Sequence, residues 1–95
     1  PEVQDFKTRY TAKYKRAVEL NGFLAHDAFL MFVDAAKKAN SFNPAAIRDA
    51  LEHANIKGIT GNIRINPNTH NPEGKEAAII RILNGNYVFQ QKYAP

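Results

Sequence analysis

Few residues of this chain are of a type and spacing that could do chemistry. The three histidines, His26, His53 and His70, fall in different segments, and no pair has the separation that places two imidazoles on one metal ion. Ser41 is the only serine, and no His–acid pair lies near it, so acyl transfer has no nucleophile–base arrangement. Asn66, Asn68, His70 and Glu73 loosely suggest an oxygen-rich cation loop. The loop lacks an aspartate and a glycine at the sharp turn of such sites, and it reads as a solvated connection. Gly58-Ile59-Thr60-Gly61 has the glycine content of a phosphate cradle but lacks the lysine and the strand-to-helix setting. It reads better as a turn leading into a strand. There is no cysteine, which removes disulfides, thiol catalysis and thiolate metal sites. No catalytic constellation, metal set or cofactor motif emerges, and the chain is expected not to be an enzyme.

One charged feature remains. Five of the thirteen basic residues lie between Lys7 and Arg16, within a chain of net charge +4. With Tyr10 and Tyr14 interleaved, this segment could contact nucleic acid as a small basic binding domain. The simpler reading is a solvated helix face.

The elements that carry these residues follow from apolar spacing. Val3, Phe6, Tyr10 and Tyr14 recur at three- and four-residue steps, which predicts a helix over about Glu2–Arg16 with its lysines and arginines mostly in water. Asn21-Gly22 breaks that pattern, and Asn21 is placed to cap a second helix running from about Gly22 to Ala39. Phe23, Leu24, Ala28, Phe29, Leu30, Met31, Phe32, Val33, Ala35 and Ala36 surround this helix on nearly every side. Such a helix belongs between layers, and the rest of the chain offers too little to cover it. Its most apolar stretch, Phe23–Ala36, is interrupted by His26, Asp27 and Asp34 and is too short and too charged to span a bilayer.

Asn43-Pro44 starts a third helix. Asparagine fits the N-cap, and proline fits the first helical position, where its missing N–H costs nothing. Ile47, Ala50, Leu51 and Ala54 form its inward stripe. Gly58 and Gly61 then bracket a change to strand, with Ile59, Ile63 and Ile65 alternating against Thr60, Asn62 and Arg64. A polar loop, residues 66–74, leads to two strands, Ala77–Leu83 and Tyr87–Tyr93. Asn84-Gly85 joins them as a type I′ hairpin turn, which needs positive φ at both central residues. The expected fold is thus α/β: three helices, then a strand and a β-hairpin.

These elements and their turn residues, taken in order, resemble the C-terminal part of branched-chain amino acid binding proteins of ABC transporters. The amphipathic helix PEVQDFKTRYTAKY is followed by HDAFLMFVDAAKKANS, whose Asp27-Ala28 matches part of a Tyr-Asp-Ala-like triplet. Asn43-Pro44 and Ile47-Arg48-Asp49-Ala50-Leu51 match an Asp-Pro helix start and an Ile-Arg-Asp-Ala-Leu core. Gly58-Ile59-Thr60-Gly61 matches a Gly-x-x-Gly strand entry, and Asn84-Gly85 the final hairpin turn. His26 stands where the family usually has tyrosine, Asn40 where it has glycine, and the loop over residues 66–74 is longer than the common form.

The resemblance implies a two-lobed periplasmic-binding-protein fold of type I, of which residues 1–95 form one C-terminal fragment. The missing N-terminal region would supply a central parallel sheet and most ligand contacts. The implied function is capture of an amino acid or similar small polar solute between two lobes, for delivery to an ABC permease. The implied location is periplasmic or extracellular, held at the membrane in organisms without a periplasm. The chain begins with proline and shows no leader, so it is read as a processed product or a piece of a longer chain.

In the resembling family the segment before the triplet approaches the interlobe cleft. That makes Asn21 and Phe23 the candidate ligand-binding residues, against a plain capping role for Asn21. Asp27 is expected to fix its helix locally rather than to touch ligand. Without the rest of the fold, the exposed second helix should drive self-association of the fragment.

Overall fold

A computed structural model describes residues 1–94. The elements are α1 (Glu2–Tyr14), α2 (Leu20–Ala39), α3 (Pro44–Glu52), β1 (Asn55–Gly58), β2 (Gly61–Ile65), β3 (Pro72–Glu73), β4 (Ala77–Leu83) and β5 (Asn86–Tyr93). Strands β1, β2 and β3 form an antiparallel sheet in that order, and β4 with β5 forms a separate two-stranded hairpin.

The apolar stripe of α1 does what its spacing predicts. Phe6 meets Tyr10, Phe23 and His26 at ring-centroid distances of 6.0, 5.5 and 4.7 Å, and Tyr10 meets Tyr14 at 4.6 Å. The helix ends at Tyr14, short of the expected Arg16. Lys15 turns to the left-handed region at φ 56°, and its N–H closes the last turn on Thr11 O at 2.9 Å. That bond satisfies a carbonyl the helix end would otherwise leave open.

Helix α2 starts two residues earlier than expected. Its N-cap is Glu19, with extended backbone and no side-chain cap, so Asn21 is not the capping residue. Asn21 and Gly22 instead lie in the first turn, and Gly22 N–H donates to Glu19 O at 2.9 Å. A Cβ on Gly22 would come within 2.6 Å of Val18 Cγ2. The glycine is there because the incoming chain crosses the turn closely, not because the helix breaks.

The third helix begins as predicted. Asn43 Oδ1 accepts from Ala45 N at 2.9 Å and from Ala46 N at 3.4 Å, with Pro44 in the first turn. Helix α3 packs on α2, and Ile47 and Ala54 are buried with Ala35 and Ile63 in a thin core.

The strand expected over Ile59–Ile65 is shorter, β2 covering Gly61–Ile65, and an unexpected strand, β1, precedes it at Asn55–Gly58. β1 and β2 pair from Asn55↔Arg64 to Gly58↔Gly61, leaving Ile59 and Thr60 as the turn. Ile59 is therefore not a strand residue. The loop over residues 66–74 also contains the short β3, which pairs Arg64↔Glu73 and Ile65↔Pro72. Its polar groups are spent internally. Asn66 Nδ2 donates to Glu73 Oε1 at 2.7 Å, and Asn66 Oδ1 accepts from Asn68 N and Thr69 N.

The β4–β5 hairpin forms as expected, with Asn84 at φ 49° and Gly85 at φ 76°. It packs on itself and not closely on the helices or the other sheet. All of its residues are exposed. The helix expected between layers is also uncovered, with Leu24, Phe29, Leu30 and Phe32 exposed and only Asp27 and Ala35 of α2 buried. The radius of gyration of 16.0 Å exceeds the roughly 12 Å of a compact domain this size. Among the described residues no helix is long and apolar enough to cross a membrane.

Candidate functional site

The most heavily bonded polar group is Asp27, on the inward face of α2. Among the described residues it is the one buried charged side chain, at 1% exposure. A buried carboxylate must be paired or hydrogen-bonded, because desolvating it alone costs several kcal/mol. The turn between β1 and β2 supplies the partners. Ile59 N–H donates to Oδ1 at 2.9 Å; Thr60 N–H and Thr60 Oγ1–H donate to Oδ2 at 2.8 and 2.5 Å. His26 Nδ1 lies 3.2 Å from Oδ1. Lys75 Nζ, from the segment joining β3 to β4, donates to Thr60 Oγ1 at 2.8 Å. Burial alone would raise the Asp27 pKa. The Thr60 hydroxyl, the Thr60 and Ile59 amides and His26 outweigh that effect and hold the carboxyl below its usual value.

Asp27 thus ties helix, hairpin turn and linker together across more than thirty residues of sequence. This corrects the expectation of a local role within α2. Gly58 is part of the same arrangement, since a Cβ there would overlap the carboxylate. The sequence did carry a signal: an aspartate on the apolar part of a helix implies a buried partner. Which partner, thirty-two residues later, was not readable from spacing.

An open cleft of about 500 Å³ lies beside this node, with walls from Glu2, Asp5, Arg9, His26, Leu30 and Lys57. Arg9 is paired with Asp5 at 2.8 Å. A second cleft of about 580 Å³, including Lys57, Thr60, Asn62, Glu76 and Lys92, separates the β1–β2 turn from the β4–β5 hairpin.

The two predicted ligand contacts are not brought together. Asn21 is exposed on the first turn of α2. Phe23 is half-buried against Phe6 in the α1–α2 contact. Neither lines these two clefts. The basic residues of α1 are exposed, as a solvated face requires. His53 and His70 remain apart from His26, His53 bonding the Asp49 carbonyl and His70 lying 3.4 Å from Glu52.

Comparison with known proteins places this arrangement. Residues 1–86 match the family model described as periplasmic binding protein. The crystal structure of the leucine-binding protein LivK from Thermotoga maritima MSB8 superposes with a TM-score of 0.74 at 26% sequence identity. That match covers 97% of this chain and 26% of LivK, so the chain spans about a quarter of its relative's length. No significant match is found among curated protein sequences. With nine-tenths of its residues inside the family model and its elements superposing on a leucine-binding protein, the chain belongs to the periplasmic binding protein family.

Proposed function

We propose that this chain is the C-terminal fragment of an extracytoplasmic solute-binding protein of the branched-chain amino acid type, which holds a small polar solute between two lobes for an ABC permease. The observation that carries the reading is the superposition of 97% of the chain on a leucine-binding protein, within a family-model match over residues 1–86. The exposed apolar faces of α2 and of the β4–β5 hairpin support a role as part of a larger lobe. In this reading the function is binding without covalent chemistry, and specificity comes from lobe closure around the solute. Asn21, exposed at the start of α2, contacts the ligand in the assembled protein; Phe23 anchors that helix turn on Phe6 and shapes the wall beside it.

Calorimetry with a panel of aliphatic amino acids tests the proposal. The isolated chain is expected to bind weakly or not at all, since it provides only part of the clamp, while the chain within its full-length parent binds. In that parent, Asn21→Ala weakens binding more than Asp49→Ala. Equal effects would remove Asn21 from the site. Binding by the isolated chain at about 1 μM, or −8 kcal/mol, would overturn the two-lobed requirement.

A further inference from the structure

The chain contains two Asn-Gly pairs, Asn21-Gly22 and Asn84-Gly85. The fold puts them in opposite chemical situations. We propose that Asn84 is a site of spontaneous deamidation and isoaspartate formation, and that Asn21 is protected from the same reaction.

The reaction needs the N–H of the following residue to reach the asparagine side chain. Glycine favours this because it has no Cβ to obstruct the approach. The Gly85 nitrogen, losing its proton to base, attacks Cγ of Asn84. A new N–Cγ bond forms, the Cγ–Nδ2 bond breaks, and Nδ2 departs as ammonia with a proton from solvent. The five-membered imide that results is opened by water at either carbonyl. One opening gives aspartate; the other gives isoaspartate, with Cβ now in the main chain. Water is consumed, ammonia is released and nothing is oxidised or reduced.

At Gly22 the required nitrogen is occupied. Its N–H donates to Glu19 O at 2.9 Å within the first turn of α2, and the crossing Val18 side chain crowds the same turn. Attack requires that turn to open first. At Gly85 the situation is reversed. Asn84 and Gly85 are the two central residues of the hairpin loop, closed by the Leu83↔Asn86 pair, and in that loop the Gly85 N–H makes no backbone hydrogen bond. Space around Gly85 is open. Asn84 is exposed, and only its main-chain oxygen is engaged, by Asn86 Nδ2 at 3.2 Å. The hairpin is held by its own ladder rather than by a core, so its tip moves at little cost.

The product changes the hairpin. A carboxylate at the tip lowers the formal net charge from +4 by one unit. Isoaspartate lengthens the two-residue loop by one main-chain atom, which the type I′ turn cannot absorb without loosening the Leu83↔Asn86 closure.

The test is peptide mapping of the full chain after incubation at mildly alkaline pH, with fragmentation that separates aspartate from isoaspartate. One sample is kept folded and one is held in concentrated guanidinium. In the folded chain the Asn84 peptide is expected to gain the mass of –OH for –NH2 about tenfold or more faster than the Asn21 peptide. In guanidinium the two should convert alike. Asn84→Gly, which suits the same turn, should abolish the fast signal. Equal rates at the two pairs in the folded chain would overturn the proposal. So would a folded-state rate at Asn84 about tenfold below its rate in guanidinium, which would mean that the turn protects it.

Discussion

Replacing Asp27 by asparagine changes one atom of a buried group and leaves its shape intact. Oδ1 can still accept the Ile59 N–H, now held at 2.9 Å. The amide nitrogen then takes the place of Oδ2, facing the Thr60 N–H that Oδ2 accepts at 2.8 Å. Two donors cannot satisfy each other. The Thr60 hydroxyl can rotate to accept on its second lone pair, beside the bond from Lys75 Nζ at 2.8 Å, but its own donated bond to the carboxylate is then lost. The least loss is one hydrogen bond to a charged acceptor, about 1.5–3 kcal/mol. Ile59 and Thr60 are only partly buried, so water can relieve part of the strain, and a cost of about 2 kcal/mol is expected. Urea unfolding of the isolated chain measures it, and amide hydrogen exchange at Ile59 and Thr60 locates it. The pH dependence gives an internal control. The Asp27 pKa is lowered in the folded state, so its contribution is complete above the unfolded carboxyl value of about 3.9 and fades as pH falls through the folded value. The native and Asp27→Asn curves should therefore converge in acid. A difference below about 0.5 kcal/mol at neutral pH, with unchanged exchange at Ile59 and Thr60, would refute the reasoning.

Gly58→Ala should destabilise by about 1–3 kcal/mol, because the new methyl overlaps the Asp27 carboxylate. Much of that cost should vanish in an Asp27→Ala background, a coupling that a double-mutant cycle in urea would detect. Asn43→Ala should cost about 0.5–2 kcal/mol in the same assay, since two amides at the start of α3 lose their acceptor. The isolated chain should show a mass that rises with concentration in sedimentation, driven by Phe29 at 66% exposure and by Ile80, Ile82, Tyr87 and Phe89 along one face of the hairpin. Lysine at Ile82 and Phe89 should reduce that association without removing the hairpin's strand signal in circular dichroism; an unchanged mass would exonerate this face.

The residues that spoke for themselves were those whose structure is set by near neighbours. Asn43-Pro44 started α3 because cap and first helical residue act within three positions. Asn84-Gly85 made the hairpin because positive φ at adjacent residues is a local demand. The surplus of apolar residues on α2 was also legible as a helix without enough cover, and the exposed Phe29 and Phe32 show that surplus directly. The sequence misled where another segment intervened. Asn21 looked like a cap, yet the chain through Val18 and Glu19 enters α2 two residues earlier. Ile59 fitted an alternating strand, but the Ile59 and Thr60 amides donate to the Asp27 carboxylate from a turn, and the strand begins only at Gly61, paired with an unforeseen β1. Asp27 itself was visible as an unusual residue on an apolar helix and invisible as a tie between three segments. Periodicity reports which face of an element turns inward; it holds no information about which donor, thirty-two residues away, will be waiting there. Only the tertiary structure decided that, because a buried charge accepts whatever hydrogen-bond donors the completed fold brings within reach.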